Sequence, residues 1–151
     1  MEFQTRLAAL FSEEDAARHM ARELMSIANR SRDAAAREKE SLLAFLHGPM
    51  ERHMHFEEVR LFDKLVEHGL GPEVQVAMKH HEAIRESRDA LAAATDPAEV
   101  AQIVFDVARL MLHHTNFEGD YIYPELDSED WRELMAGTVT PSEFPPPASG
   151  G

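Results

Sequence analysis

Apolar residues recur along this chain at steps of three and four, and no strict apolar/polar alternation lasts long enough to predict a strand. Ser12, followed by Glu13, Glu14 and Asp15, reads as an N-cap with an acidic first turn, and Ala16, Met20, Leu24 and Ile27 give the apolar stripe of a first helix. Polar residues from Asn29 to Asp33 predict fraying there. A second helix is expected from Asp33 or Ala34 to about Glu67, with Leu43, Leu46, Met50, His53, Glu57, Leu61 and Leu65 on one face. Gly48-Pro49 predicts a kink one turn before His53. His68-Gly69-Leu70-Gly71-Pro72 is a stop followed by a restart. The third stripe is Val74, Ala77, His81, Ile84, Arg88 and Leu91. Asp96-Pro97 opens the fourth helix, whose stripe is Val100, Val104, Val107, Met111, His114, Glu118 and Tyr121, widened by Ile103, Leu110 and Phe117.

Four helices with mostly short links predict an all-α, up-down-up-down four-helix bundle with a kinked long second helix, over residues 1–138. Pro124 ends the last helix, and Trp131 to Met135 is expected to fold back as a short helical turn. The Pro-rich stretch 139–151 cannot bury a core and is expected to be disordered.

The stripes are not wholly apolar. His53 and Glu57, and again His114 and Glu118, stand where Leu or Val is expected, each as His-x-x-x-Glu with a Phe before the carboxylate. Residues four apart on a helix lie about 6 Å apart on one face, so each copy can aim an imidazole and a carboxylate at one point. His19 and His81 precede the two copies at nearly equal offsets, which reads as a duplicated helix pair. Burying unpaired carboxylates costs several kcal/mol each, and a bound cation removes that cost. The competing arrangement is a metal-free His/Glu hydrogen-bond network, which is hard to satisfy completely.

Composition narrows the chemistry. The 151-residue chain has no Cys, so disulfides, thiolate metal sites and Cys nucleophiles are excluded. Its net charge of −13 disfavours nucleic acid and anionic membranes as partners. Lacking a signal-like segment or a long apolar run, it is expected to be cytoplasmic. Imidazole and carboxylate donors suit Fe, Mn, Zn, Ni or Cu, and two histidines with bridging carboxylates favour iron.

The segments His-Met-His-Phe-Glu-Glu-Val-Arg-Leu-Phe at 53–62 and His-Thr-Asn-Phe-Glu-Gly-Asp-Tyr-Ile-Tyr-Pro at 114–124 resemble the hemerythrin family, specifically its bacterial HHE cation-binding domains, over about residues 12–126. The resemblance implies a metal set of His19, His53, Glu57, His81, His114 and Glu118, with Glu57 and Glu118 bridging two Fe ions together with an oxygen species. It implies binding of O2, or of NO or peroxide. A peroxidase, catalase or oxygenase built on the same centre, or an iron- or oxygen-responsive regulatory module, is the alternative; no catalytic residue is assigned. Two departures stand out: Arg85 occupies the place of a second third-helix histidine, and Glu118 ends the fourth-helix motif where oxygen carriers have Asp one residue later. Glu23, one turn after His19, reads as a solvated acid or an additional ligand; Tyr121 and Tyr123 read as packing aromatics or as hydrogen-bond donors to a ligand. His80 and His113 are expected beside the centre or at the surface, and His47, His55 and His68 away from it.

Overall fold

The computed structural model describes residues 2–135, with side chains from 8 to 133. It is an all-α bundle of four packed helical arms, one of them bent at residue 48. The first arm is α1 (Glu2–Arg30). The second comprises α2 (Arg32–Ala36), α3 (Lys39–His47), α4 (Pro49–Phe56), a π turn over Glu57–Leu61, and α5 (Phe62–Glu67). The third is α6 (Gly71–Ala93). The fourth is α7 (Pro97–Phe117), continued by a π turn over Glu118–Ile122 and a 3₁₀ turn over Tyr123–Glu125. A short α8 (Ser128–Met135) folds back on the bundle. The expected tail and the boundary at residue 138 lie outside the described residues.

Several boundaries follow the local chemistry. Gly69, at φ +87°, closes α5: its N–H bonds the Val66 carbonyl, and the Leu70 N–H reaches the Leu65 carbonyl at 3.0 Å. Asp96 caps α7 through a 3.1 Å bond from the Glu99 N–H to its carboxylate. Gly48 takes φ −101°, ψ −99°, which bends the second arm just before Pro49. Between α1 and α2 the chain turns sharply rather than frays, because Ser31 is extended and its hydroxyl accepts from the Ala34 N–H at 3.1 Å.

Ser12 does not start the first helix. The helix runs through it from Glu2, since Leu10 is fully buried and Phe11 packs edge-on against Trp131 of α8. Tertiary packing of the upstream turns overrides the capping signal. The inward face also differs from the expected one: Leu10, Glu14, Ala17, Ala21 and Leu24 are buried, Ala16 is exposed, and Met20 and Ile27 lie at the flank of the core. Alanines at 17 and 21 let α1 approach closely, and Arg18 fixes its rotation by donating to the Thr115 carbonyl (3.1 Å) and the Asn116 side chain (3.2 Å) on α7.

Two apolar clusters fill the bundle. One contains Ala17, Met50, Met54, Ile84 and Met111, and the other Leu10, Phe56, Leu61, Ala77 and Ile122. Buried polar residues lie where the two clusters meet: Glu14 on α1, His81 on α6, and His114 and Glu118 on the fourth arm fall between them along the chain, and on the second arm His53 and Glu57 flank the junction of Met54 and Phe56. These six side chains are at most 4% exposed. Among the described residues no helix is long and apolar enough to cross a membrane.

Candidate metal centre

The buried polar residues form two overlapping donor sets. Glu14, His53, Glu57 and Glu118 present ligand atoms within 4.8 Å of one another, as do Glu57, His81 and His114. Glu57 belongs to both, so the arrangement has the capacity for a bridged pair of metal ions. The contacts are short: His53 Nε2 lies 2.6 Å from Glu14 Oε1 and 3.7 Å from Glu57 Oε1, His81 Nε2 lies 3.3 Å from Glu57 Oε1, and His114 Nε2 lies 2.7 Å from Glu118 Oε1.

Each inward-facing imidazole is held from behind by its other nitrogen. His53 Nδ1 meets Glu13 Oε1 at 2.8 Å, His81 Nδ1 meets Glu58 Oε2 at 2.6 Å, and His114 Nδ1 meets His80 Nδ1 at 3.1 Å. Such outer partners fix the tautomer and ring orientation of metal-binding histidines. Glu58 is gripped in turn by Arg85 at 2.8 and 3.2 Å, and Arg85 and Arg88 share Glu51 on α4. Arg85 therefore serves an ion-pair network that anchors the support of His81.

The inner atoms lack ordinary partners. Glu14 Oε2, both oxygens of Glu57, both of Glu118, His81 Nε2 and His114 Nε2 are all inaccessible to water, and none makes a well-aligned hydrogen bond, although His114 Nε2 and Glu118 Oε1 lie 2.7 Å apart and His81 Nε2 and Glu57 Oε1 3.3 Å. Seven such atoms converging on one region is what a cation-binding cage looks like before its cations are counted. The electrostatics carry the same message. Burial, together with the nearby Glu14 and Glu58 charges, pushes the Glu57 carboxyl up to about 7. Burial and the charges of Glu14 and Glu57 hold Glu118 well above the usual carboxylate range. Burial opposes the charge on His53, yet Glu57 and Glu14 outweigh it and raise that imidazole well above its ordinary value. At Glu14 the burial penalty is outweighed by His53, and its carboxyl is lowered. Burial and the neighbouring His114 lower His80 to about 4, which keeps the ring neutral and able, in its Nε2–H tautomer, to accept from His114 Nδ1–H.

Five of the six sequence-predicted ligands, His53, Glu57, His81, His114 and Glu118, come together here. His19 is not brought to the cluster. Its side chain is 77% exposed and lies 3.7 Å from Glu23 Oε1, itself 64% exposed, so this pair sits on the solvent face of α1. Glu14 takes the first-arm position instead. Tyr123 reaches the edge of the site, donating from its hydroxyl to Glu14 Oε1 at 3.2 Å, while Tyr121 is 60% exposed. His113 packs against His80, His68 pairs with Asp130, and His47 is exposed.

Both His-x-x-x-Glu motifs end in a π turn that begins at the glutamate. Nothing in the hydrophobic pattern announces it. The wider turn carries Tyr121 off the inward face and puts Ile122 there, fully buried. π turns inside α-helices are frequent at functional sites, and here both open at a carboxylate of the cage.

Comparison of the chain with models of known protein families, with curated proteins and with solved structures returned no match. The likeness that stands is one of architecture and donors: an all-α bundle with two clustered His/Glu ligand sets, resembling a hemerythrin-like metal site.

Proposed function

We propose that the chain is a hemerythrin-like nonhaem di-iron protein that binds O2 or a related small ligand, NO or peroxide. The observation that carries this reading is the convergence of seven buried donor atoms, none with a well-aligned hydrogen bond, on Glu14, Glu57, His81, His114 and Glu118. Three interior carboxylates with two nearby imidazole nitrogens fit a pair of divalent cations by charge and by donor type. Glu14, His53, Glu57 and Glu118 would hold one ion, and Glu57, His81 and His114 the other, with Glu118 beside both sets. Bound iron would supply reversible electron donation to O2 or peroxide.

The protein's part is to hold the donors and shape the approach. Glu13, Glu58 and His80 orient the three imidazoles. An apolar recess of about 50 Å³, lined by Ala17, Phe45 and Met50, borders the cage at Glu14 and His53. That space has room for a molecule of two or three atoms. Arg85, in place of a further imidazole, leaves the His81 and His114 position with fewer protein donors and more room for an exogenous ligand.

Metal analysis of protein from iron-replete cells should give two irons per chain, with a visible ligand-to-metal band that changes on removal of O2 or addition of NO or peroxide. An iron-loaded protein indifferent to all three would overturn the reading. The Tyr123 hydroxyl favours a second one, peroxide turnover as a catalase or peroxidase. This partly buried phenol is raised well above its usual range by burial and the surrounding carboxylates, so it stays a proton donor at the edge of the site. Sustained O2 release from added peroxide, lost in Tyr123→Phe, would distinguish the enzyme from a binding protein.

A further inference from the structure

The two donor sets are unequal. One offers three carboxylates and a single imidazole, from Glu14, Glu57, Glu118 and His53; the other offers two imidazoles, His81 and His114, with the shared Glu57. The difference arises from α1, which contributes Glu14 to the cage and turns its only histidine, His19, to solvent. Glu14 is 3% exposed, and its Oε2 has no hydrogen bond, while Oε1 is held by His53 and Tyr123. A free, buried carboxylate oxygen in a set already rich in oxygen points to a cation that prefers hard donors.

We propose that the two positions discriminate between metals: the Glu14, His53, Glu57 and Glu118 position favours Mn2+, and the Glu57, His81 and His114 position favours Fe2+, so that the centre assembles as a mixed pair when both ions are present. This rests on the dinuclear reading above and refines it. Ordinary affinities rise from Mn2+ to Fe2+ at any nitrogen and oxygen site, so the donors act on the margin. Carboxylate oxygens suit Mn2+ and narrow that margin at the first position; imidazoles suit Fe2+ and widen it at the second. When the ions compete for one cage, Fe2+ is drawn to the imidazoles and Mn2+ is left the carboxylate-rich position.

The test is anaerobic loading of the full chain with equal Mn2+ and Fe2+, followed by metal content and anomalous diffraction at both absorption edges. The expected result is one ion of each kind per chain, with Mn2+ concentrated severalfold at the position of Glu14. Glu14→His should erase that enrichment while two ions stay bound, and Glu14→Gln, which keeps the shape and removes the charge, should reduce it. Iron at both positions of the wild-type protein, or enrichment that survives both substitutions, would overturn the inference while leaving the dinuclear centre standing. Retention of neither ion at either position would remove the dinuclear reading and this inference with it.

Discussion

The two His-x-x-x-Glu arms are built alike, but the helices that accompany them are not. Each arm carries its imidazole and carboxylate inward and widens into a π turn at the carboxylate. Of the companions, α6 delivers His81 with complete burial, whereas α1 delivers Glu14 and leaves His19 in water. The difference lies in what each helix packs with. On α6 the inward stripe of Val74, Ala77, Ile84 and Leu91 has unambiguous apolar residues on both sides of His81. On α1 small residues make the closest approach, so the larger Met20 and Ile27 are displaced to the flank and the face turns with them. A duplicated sequence pattern thus yields two positions with different donors.

That contrast can be broken most directly at α1. Glu14→Ala should weaken metal binding by roughly a hundredfold or more, beyond the loss typical of an outer-partner mutation, whereas His19→Ala should leave it unchanged. Isothermal titration of both variants decides the matter, and equal losses would return His19 to the site. The supports behind the imidazoles offer a finer comparison. Glu58 holds His81 and is itself locked by Arg85. Glu58→Ala should cost roughly ten- to a hundredfold in affinity. Glu13→Ala, behind His53, should cost less, because Glu14 also grips that ring. A smaller effect comes from pH. With burial raising Glu57 to about 7, its carboxyl is protonated below that value in the metal-free protein, and a cation must displace the proton. Affinity should therefore rise with pH, by about fivefold from pH 6 to pH 7 for this one group. The sign for stability runs with it. A raised carboxyl favours the metal-free fold below its unfolded value and loses that contribution as pH climbs toward 7, so the gap in melting temperature between loaded and metal-free protein should widen over that interval. A chelator competition series and matched thermal scans measure both.

The bundle, its bend and the second, third and fourth arms were legible because their stripes are long and made of large apolar residues, so a His or Glu within them stands out. Four cage residues could be read from that interruption, and His81 from its place in the third stripe and its spacing from His19. Glu14 could not, since an acid just after Ser12 matches an N-terminal capping pattern, and only the packing of Leu10 and Phe11 on neighbouring segments reveals that the helix is already under way. The outer partners Glu13 and Glu58 escaped for a related reason, since they lie one residue from an inward position, where helical geometry ordinarily directs a side chain away; His80, which adjoins His81 in the same way, was expected beside the centre or at the surface, and the structure puts it behind His114. Their long or planar side chains reach back across that angle. Arg85 was visible as a departure, yet its role needed the positions of Glu51 and Glu58.

The π turns at Glu57 and Glu118 separate two design problems that a regular helix would couple. In an unbroken α-helix, turning a carboxylate toward the cage would set the direction of every later side chain on that rod, including Leu61, Leu65 and Ile122. One surplus residue acts as a phase shifter, so the chelating end and the greasy end of each arm can be tuned independently. Forcing either turn into regular α geometry with its residues kept would rotate everything beyond it by about 100° and turn Tyr121 or its counterpart Arg60 toward the interior.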